Sequence, residues 1–284
     1  MSRFSLLTAL AALVLLLFAS VNSSPPPLLR AAPQQPRLAA VAAAAAGPPP
    51  PAAPPLCSPP NPTSCEGVCA TLLAKIQAER AKSTWPEYYG DVAAEVFRRG
   101  AAEGVFVEVG TAYGGLAQHL LVAHPKLRVI AVDPFYGDYD SGDSMSDYFR
   151  GLREQYGQAE ASALWARAMA FEAGERFGCR YALHNTFSEK AAPLFPRRSV
   201  DMIFIDGDHT RDGVERDIRA WAPVVKTGRM LLFNDYQPDK WPGVVQAVDA
   251  LAERTAQSVY HLPQLSWGNV GVYNLPELFS TPAD

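Results

Sequence analysis

The chain has 284 residues, 48% hydrophobic and 19% charged, which supplies a sizeable core and excludes wholesale disorder. The formal net charge is −4, and residues 1–56 carry Arg3, Arg30 and Arg37 but no acid. The remaining body is therefore more acidic still, which argues against a nucleic-acid binder that works by phosphate neutralisation. Four cysteines are too few for a disulfide-dense scaffold.

Leu6 to Phe18 is an almost unbroken apolar run preceded by Arg3, the pattern of a secretory signal peptide. Extended to Phe4–Val21 it reaches the lower limit of a membrane span. Residues 1–23 are thus expected to be a signal peptide or signal anchor, placing the chain in the secretory pathway, with residues 4–21 as the membrane anchor in the second case. The alternative is an organelle transit peptide, because the first 56 residues are Ala-rich and acid-free. Residues 24–62 hold fourteen of the 25 prolines, a composition that favours extended conformers and cannot build a core. This tract reads as a stem. Cys57, Cys65 and Cys69 sit together where it ends. In an oxidising compartment one local disulfide is one reading and unpaired small residues the other; no paired CxxC or HxxxH set completes a zinc site.

From residue 63 to 284 the pattern is that of one folded domain. Val68, Leu72, Leu73 and Ile76 recur at helical spacing, and a short helix is expected over Asp91–Arg99. Strands are expected at Val105–Val109, Arg128–Val132, Arg180–His184, Val200–Ile205, Met230–Phe233, Ser258–Leu262 and Asn269–Tyr273. Helices fall at Gly115–Ala123, through much of 142–176, and around Val214, Ile218 and Trp221, which share one face. Strands alternating with helices imply an α/β fold: a Rossmann-like, doubly wound, mostly parallel seven-stranded sheet with helices on both faces. The short connector between the last two strands implies an antiparallel hairpin at one edge. The stretch 134–179 is long for a crossover and is rich in Tyr, Phe and Asp at its start. It reads as a lid or insertion, with Tyr136, Tyr139 and Tyr148 able to stack on a ring.

In such sheets ligands bind outside the carboxyl ends of the strands. The residues there are Glu108-Val-Gly110-Thr111-Ala-Tyr-Gly114-Gly115, Asp133, His184 to Ser188, Asp206-Gly-Asp208-His209 and Asn234-Asp235. The glycines let a ligand approach the backbone, and their spacing is not GxGxxG, which disfavours a pyrophosphate cradle. A carboxylate at Asp133 can accept both hydroxyls of a ribose. Together they indicate a nucleoside-containing cofactor.

VFVEVGTAYGG at 105–115 resembles the first motif of class I S-adenosylmethionine-dependent methyltransferases, and VIAVDPF resembles the second. The blocks IDGDH and NDY within 199–236 resemble the branch that includes macrocin-type and other sugar O-methyltransferases. The resemblance implies seven strands with the last reversed, and S-adenosyl-L-methionine held by Glu108, Gly110, Thr111, Gly114, Asp133 and Ser188. It also implies a Mg²⁺ ion on Asp206, Asn234 and Asp235, a donor set such an ion accepts. The reaction would be O-methylation of a small-molecule or sugar hydroxyl, with no nucleic-acid partner. His209 or Asp208 would take the proton. The competing expectations are a DxD glycosyltransferase, suggested by the stem and the triplet Asp206-Gly-Asp208, and a non-catalytic binding module on the same fold. Helix capping by Asp208 or Thr210 would explain part of the acidic cluster without chemistry.

Overall fold

The computed structural model describes residues 62–82, 85–136, 144–262 and 268–273. The chain divides into two units, 1–49 and 50–284. The targeting run, most of the stem, Cys57, Tyr139 and the end of the chain lie outside the described residues. Among the described residues no helix is long and apolar enough to cross a membrane.

Two helices, α1 (Val68–Lys82) and α2 (Trp85–Arg98), precede the first strand. The second is longer than the expected Asp91–Arg99 because a proline in the first turn, Pro86, does not stop a helix. Then follow β1 (Val105–Val109), α3 (Gly115–Ala123), β2 (Arg128–Val132), α4 (Ser144–Tyr156), α5 (Gln158–Phe177), β3 (Tyr181–His184), the short α6 (Ser188–Ala191), β4 (Val200–Ile205), α7 (Arg211–Trp221), β5 (Val225–Phe233), α8 (Pro242–Thr255), β6 (Val259–His261) and β7 (Val270–Tyr273). All seven expected strands are present. β5 starts earlier than Met230, because its first half runs partly exposed past a shift in register against β4; its alternation gave no apolar signal there.

The sheet order is β3-β2-β1-β4-β5-β7-β6. The pairs β1–β2, β1–β4, β2–β3 and β4–β5 are parallel, and β7 runs antiparallel to both β5 and β6. The central strands β1 and β4 are buried along their whole length. Their alternate side chains feed two cores, as a strand with helices on both faces requires. Val107, Ile203 and Leu231 pack with Val214, Ile218 and Trp221 of α7 and Val248 of α8. Phe106, Phe204 and Leu232 pack with Val96 of α2 and Leu116 and Leu120 of α3.

Among the described residues of 134–179, α4 and α5 pack together around a third core. Phe149, Leu152, Trp165 and Met169 join Cys69, Leu72 and Ile76 of α1 and Phe135 of the loop after β2. A local disulfide is present, Cys65–Cys69, at the start of α1. Cys179, at the far end of α5, is disulfide-bonded as well, which sequence distance had concealed.

Candidate functional site

The strand order reverses direction between β1 and β4, and the crevice for a ligand lies at that switch point. Backbone bonds continue the ladder one residue past the strands. Gly110 N donates to Val132 O (2.9 Å), Asp206 N to Val109 O (2.8 Å), Asn234 N to Ile205 O (3.1 Å) and Asp133 N to His184 O (3.1 Å). The strand-end residues named from sequence are therefore pinned at one level along the carboxyl edge of the sheet.

Gly110 has φ +83°, and a Cβ there would lie 2.0 Å from Asp206 O. This glycine is needed for β1 and β4 to close on each other, as well as for ligand approach. Three non-glycine residues of the same edge also take left-handed backbone: Ala112 (φ 44°), Phe135 (φ 47°) and Asp235 (φ 57°). Such conformations cost about 1–2 kcal/mol each and persist where surrounding packing enforces them. For Ala112 the enforcing contacts are visible: its N donates to Asp133 Oδ2 (2.9 Å), and its carbonyl accepts from Trp165 Nε1 (3.2 Å). Trp165, fully buried in α5, also stacks with Tyr113 and Phe135 at 5.9 and 5.8 Å between ring centroids. The insertion thus sits directly on the glycine loop, a role for Trp165 that nothing in its sequence neighbourhood signalled.

Glu108, Asp133 and Asp206 surround that loop. Glu108 is buried and accepts from Thr111 Oγ1 at 2.7 Å. Burial raises its carboxyl well above the usual range, and Asp206 and Asp133 raise it further. Burial pushes Asp133 up to about 6, against the backbone donors of Ala112 and Phe135. Asp206 is raised too, by burial first and then by Asp235, against the contacts of His209 and Asn234. Three crowded carboxylates with raised affinity for protons form a site that gains from a ligand bringing positive charge and hydroxyl donors. Gly114 faces Met169 of α5, whose methyl would be 2.4 Å from an added Cβ.

The second cluster joins the ends of β4 and β5. His209 Nε2 lies 3.1 Å from Asp235 Oδ2 and 3.6 Å from Asp206 Oδ1. Asn234 Nδ2 donates to Asp206 Oδ1 at 3.0 Å, and Gln237 Nε2 to Asp235 Oδ1 at 3.0 Å. Burial works to lower the imidazole, but Asp206 and Asp235 outweigh it and push His209 up to about 9. Its ring is stacked on Trp241, 4.3 Å between centroids and 22° from parallel. A Cβ on Gly243 would meet Arg211 N and His209 O, both at 2.6 Å. The Trp241-Pro-Gly243 segment therefore fits against the loop that carries His209. Trp241 was visible in the sequence only as a neighbour of the pocket, and Gln237 was not singled out.

One ligand atom each from Asp206, His209 and Asp235 can lie within 4.8 Å of one another. This donor set fits a divalent cation. Asn234, the third expected ligand, stands beside this set, with its amide nitrogen donating to Asp206 Oδ1.

Asp208 is not brought into this cluster. Its Oδ1 accepts from Thr210 N (2.8 Å) and its Oδ2 pairs with Arg216 (3.0 Å). Burial works upward on it, but Thr210 and Arg216 hold its carboxyl below the ordinary range. Thr210 caps α7 through Gly213 N. The capping explanation thus holds for Thr210, with Asp208 bracing the cap through Thr210 N, and does not extend to Asp206 or Asp235. Ser188 Oγ accepts from Trp221 Nε1 at 2.7 Å, which ties α6 to α7. That hydroxyl serves helix packing. Phe187, just before it, is an exposed aromatic of the β3 loop, and its ring lies 5.6 Å from that of Tyr136.

Residues 107–236 match the methyltransferase-domain family. The seven-stranded sheet, with its order and its reversed strand β7, is the Rossmann-like fold expected from the sequence. A curated relative, the uncharacterized protein R132 of Acanthamoeba polyphaga mimivirus, is 38% identical over 53 residues, 18% of this chain and 24% of that protein. The chain thus spans about a quarter of that relative's length. Solved structures of similar shape include a Corynebacterium glutamicum protein (13% identity, TM-score 0.44, covering 76% of this chain and 93% of that one). Another is the O-methyltransferase TomG from Streptomyces achromogenes (14% identity, TM-score 0.44, covering 74% and 90%).

Proposed function

We propose that the protein is an S-adenosylmethionine-dependent O-methyltransferase that uses a divalent cation and methylates a hydroxyl of a small molecule or sugar. The observation that carries this is the pairing of two acidic sets on one sheet edge. Glu108, Asp133 and Asp206 surround the glycine loop, and Asp206 is shared with the cluster that contains His209 and Asp235.

The residues present suit the cofactor. Asp133 would accept the ribose hydroxyls, Glu108 and the 110–114 backbone would border the amino-acid part, and the exposed Tyr136 and Phe187 rings would flank the base. When bound, the cofactor supplies the methyl electrophile. A cation on Asp206, His209 and Asp235 would lower the pKa of an acceptor hydroxyl. The protein's own work is to hold the acceptor oxygen in line with the methyl group and to manage one proton. His209 Nε2 faces the same two carboxylates, and Trp241 and Gly243 fix where the ring stands; as a ligand it would be committed to the cation, and the proton of the activated hydroxyl would leave to solvent. Asp208 is a poor base, because Arg216 favours its ionised form and occupies it.

The same geometry weakens the glycosyltransferase reading. In the triplet Asp206-Gly-Asp208 the two carboxylates have separate partners: Asp206 faces Asn234 and His209, and Asp208 faces Thr210 and Arg216. The disulfides at Cys65–Cys69 and Cys179 support an oxidising compartment and hence the proposed secretory route through residues 4–21. The test is transfer of labelled methyl from S-adenosylmethionine to a panel of hydroxylated acceptors, with and without chelator. Transfer abolished by chelator and by Asp206→Asn supports the proposal; transfer indifferent to both removes the cation from it.

A further inference from the structure

Away from the sheet edge, α1 and α4 enclose a cleft of about 570 Å³, within the size range of small-molecule sites. Leu152 forms its buried floor, and Tyr148, Tyr156, Gln155 and Thr71 line it. Tyr156 is 39% exposed, an aromatic side chain partly open to solvent. An added Cβ at Gly67 or Gly151 would meet nothing within 4 Å, so bare backbone borders open space on both helices' sides.

The chemistry of the lining is neutral and hydroxylic. Asp147 is paired with Arg150 on its own helix, and the Lys75 ammonium lies 4.6 Å over the Tyr148 ring. Burial raises the Tyr148 phenol, and Tyr156 adds to that rise, so the Tyr148 hydroxyl stays protonated at neutral pH and serves as donor and acceptor. A charged ligand would find its counter-charge already engaged. An apolar ligand would leave phenol and amide groups unpaired, which costs about 1–3 kcal/mol for each that becomes buried. A ligand with one apolar face and a rim of hydroxyls meets both demands: its C–H face covers an aromatic ring, and its rim pairs with amide and phenol.

We propose that the cleft between α1 and α4 binds a saccharide, with a pyranose ring laid on Tyr156 and its hydroxyls paired with Gln155, Tyr148 and Thr71. The proposal does not rest on methyl transfer, and the cleft shares no residue with the strand-end site.

The test is saturation-transfer NMR on the full chain with the methyl glycosides of glucose, galactose, mannose, xylose, fucose, rhamnose and N-acetylglucosamine. At least one is expected to receive magnetisation, with at least tenfold loss of affinity in Tyr156→Ala and in Gln155→Ala. It should be unchanged in Phe97→Ala, an exposed aromatic on α2 (71%). Thermal melts and a parallel titration with S-adenosylhomocysteine establish that each variant is folded. Should Tyr156→Ala fail to fold, Gln155→Ala decides alone. No signal from any glycoside, or a signal that survives the cleft variants undiminished, overturns the proposal. Failure of the homocysteine titration alone would count against the cofactor reading and leave this one standing.

Discussion

Gly110→Ala probes the joint on which the whole site is built. The new methyl carbon would lie 2.0 Å from Asp206 O, 2.5 Å from Asp206 C and 2.9 Å from Gly207 Cα. All three are backbone atoms of the chain leaving β4, so no side chain can swing aside. A residue with a Cβ at φ +83° also costs about 1–2 kcal/mol for its backbone conformation. Overpacking of this kind adds about 1–3 kcal/mol, so the expected loss is about 2–5 kcal/mol. For a folded body of this size that lowers the melting temperature by roughly 10 °C. The matched control is Gly151→Ala in the interior of α4, where the added methyl meets nothing; it should gain about 0.5–1 kcal/mol from helix propensity. Urea and thermal unfolding followed by circular dichroism measure both. A Gly110→Ala protein within about 1 kcal/mol of the parent would refute the close packing of the loop on the end of β4, and with it the placement of Asp206 beside Glu108 and Asp133.

Three further outcomes are expected. In metal-free protein, His209 has a folded-state pKa of about 9 against an ordinary 6.5, so its ion pairs contribute stability that is fully present below pH 6.5 and lost as pH rises through 9. The contribution is at most about 3 kcal/mol; the stability gap between the parent and His209→Gln should close between pH 6 and pH 10, and a constant gap would contradict the ion pairing. Asp208→Asn should cost no more than about 1 kcal/mol, the worth of an exposed ion pair and turn contact, and leave cofactor affinity unchanged in calorimetry; a large loss of affinity would return Asp208 to the site. Trp241→Leu should move the His209 ring protons out of the indole ring current in NMR spectra, with Trp241→Phe restoring most of the shift, as stacking and not bulk requires.

The sheet was legible because its strands are short, apolar and separated by helical periodicity. Val105–Val109 and Val200–Ile205 are buried throughout and read as continuous apolar runs. The N-terminal half of β5 escaped, since Lys226 to Arg229 carry no alternating pattern. Strand ends exposed most of the site, because an acid directly after a buried strand has few other reasons to be there. Side-chain direction was not legible. Asp206 and Asp208 are two residues apart, yet one faces the cluster and the other faces Arg216, a choice made by the cap of α7 and by Gly213, where a Cβ would clash with Asp208. Ser188 was named for a ligand and is taken up by Trp221, whose position follows from helix packing. Trp165 touches the site only through tertiary contacts that no local pattern announces, whereas Gln237 reaches Asp235 through a turn of two residues.

The central claim is that this sheet edge holds S-adenosylmethionine. Calorimetric titration of the full chain with S-adenosylhomocysteine tests it most directly. The account predicts micromolar binding at neutral pH, weaker below about pH 6 as Asp133 takes up a proton. Asp133→Ala should weaken it by about a hundredfold or more, the loss of two hydrogen bonds to a carboxylate. No binding by the parent chain, or equal binding by Asp133→Ala, would contradict it.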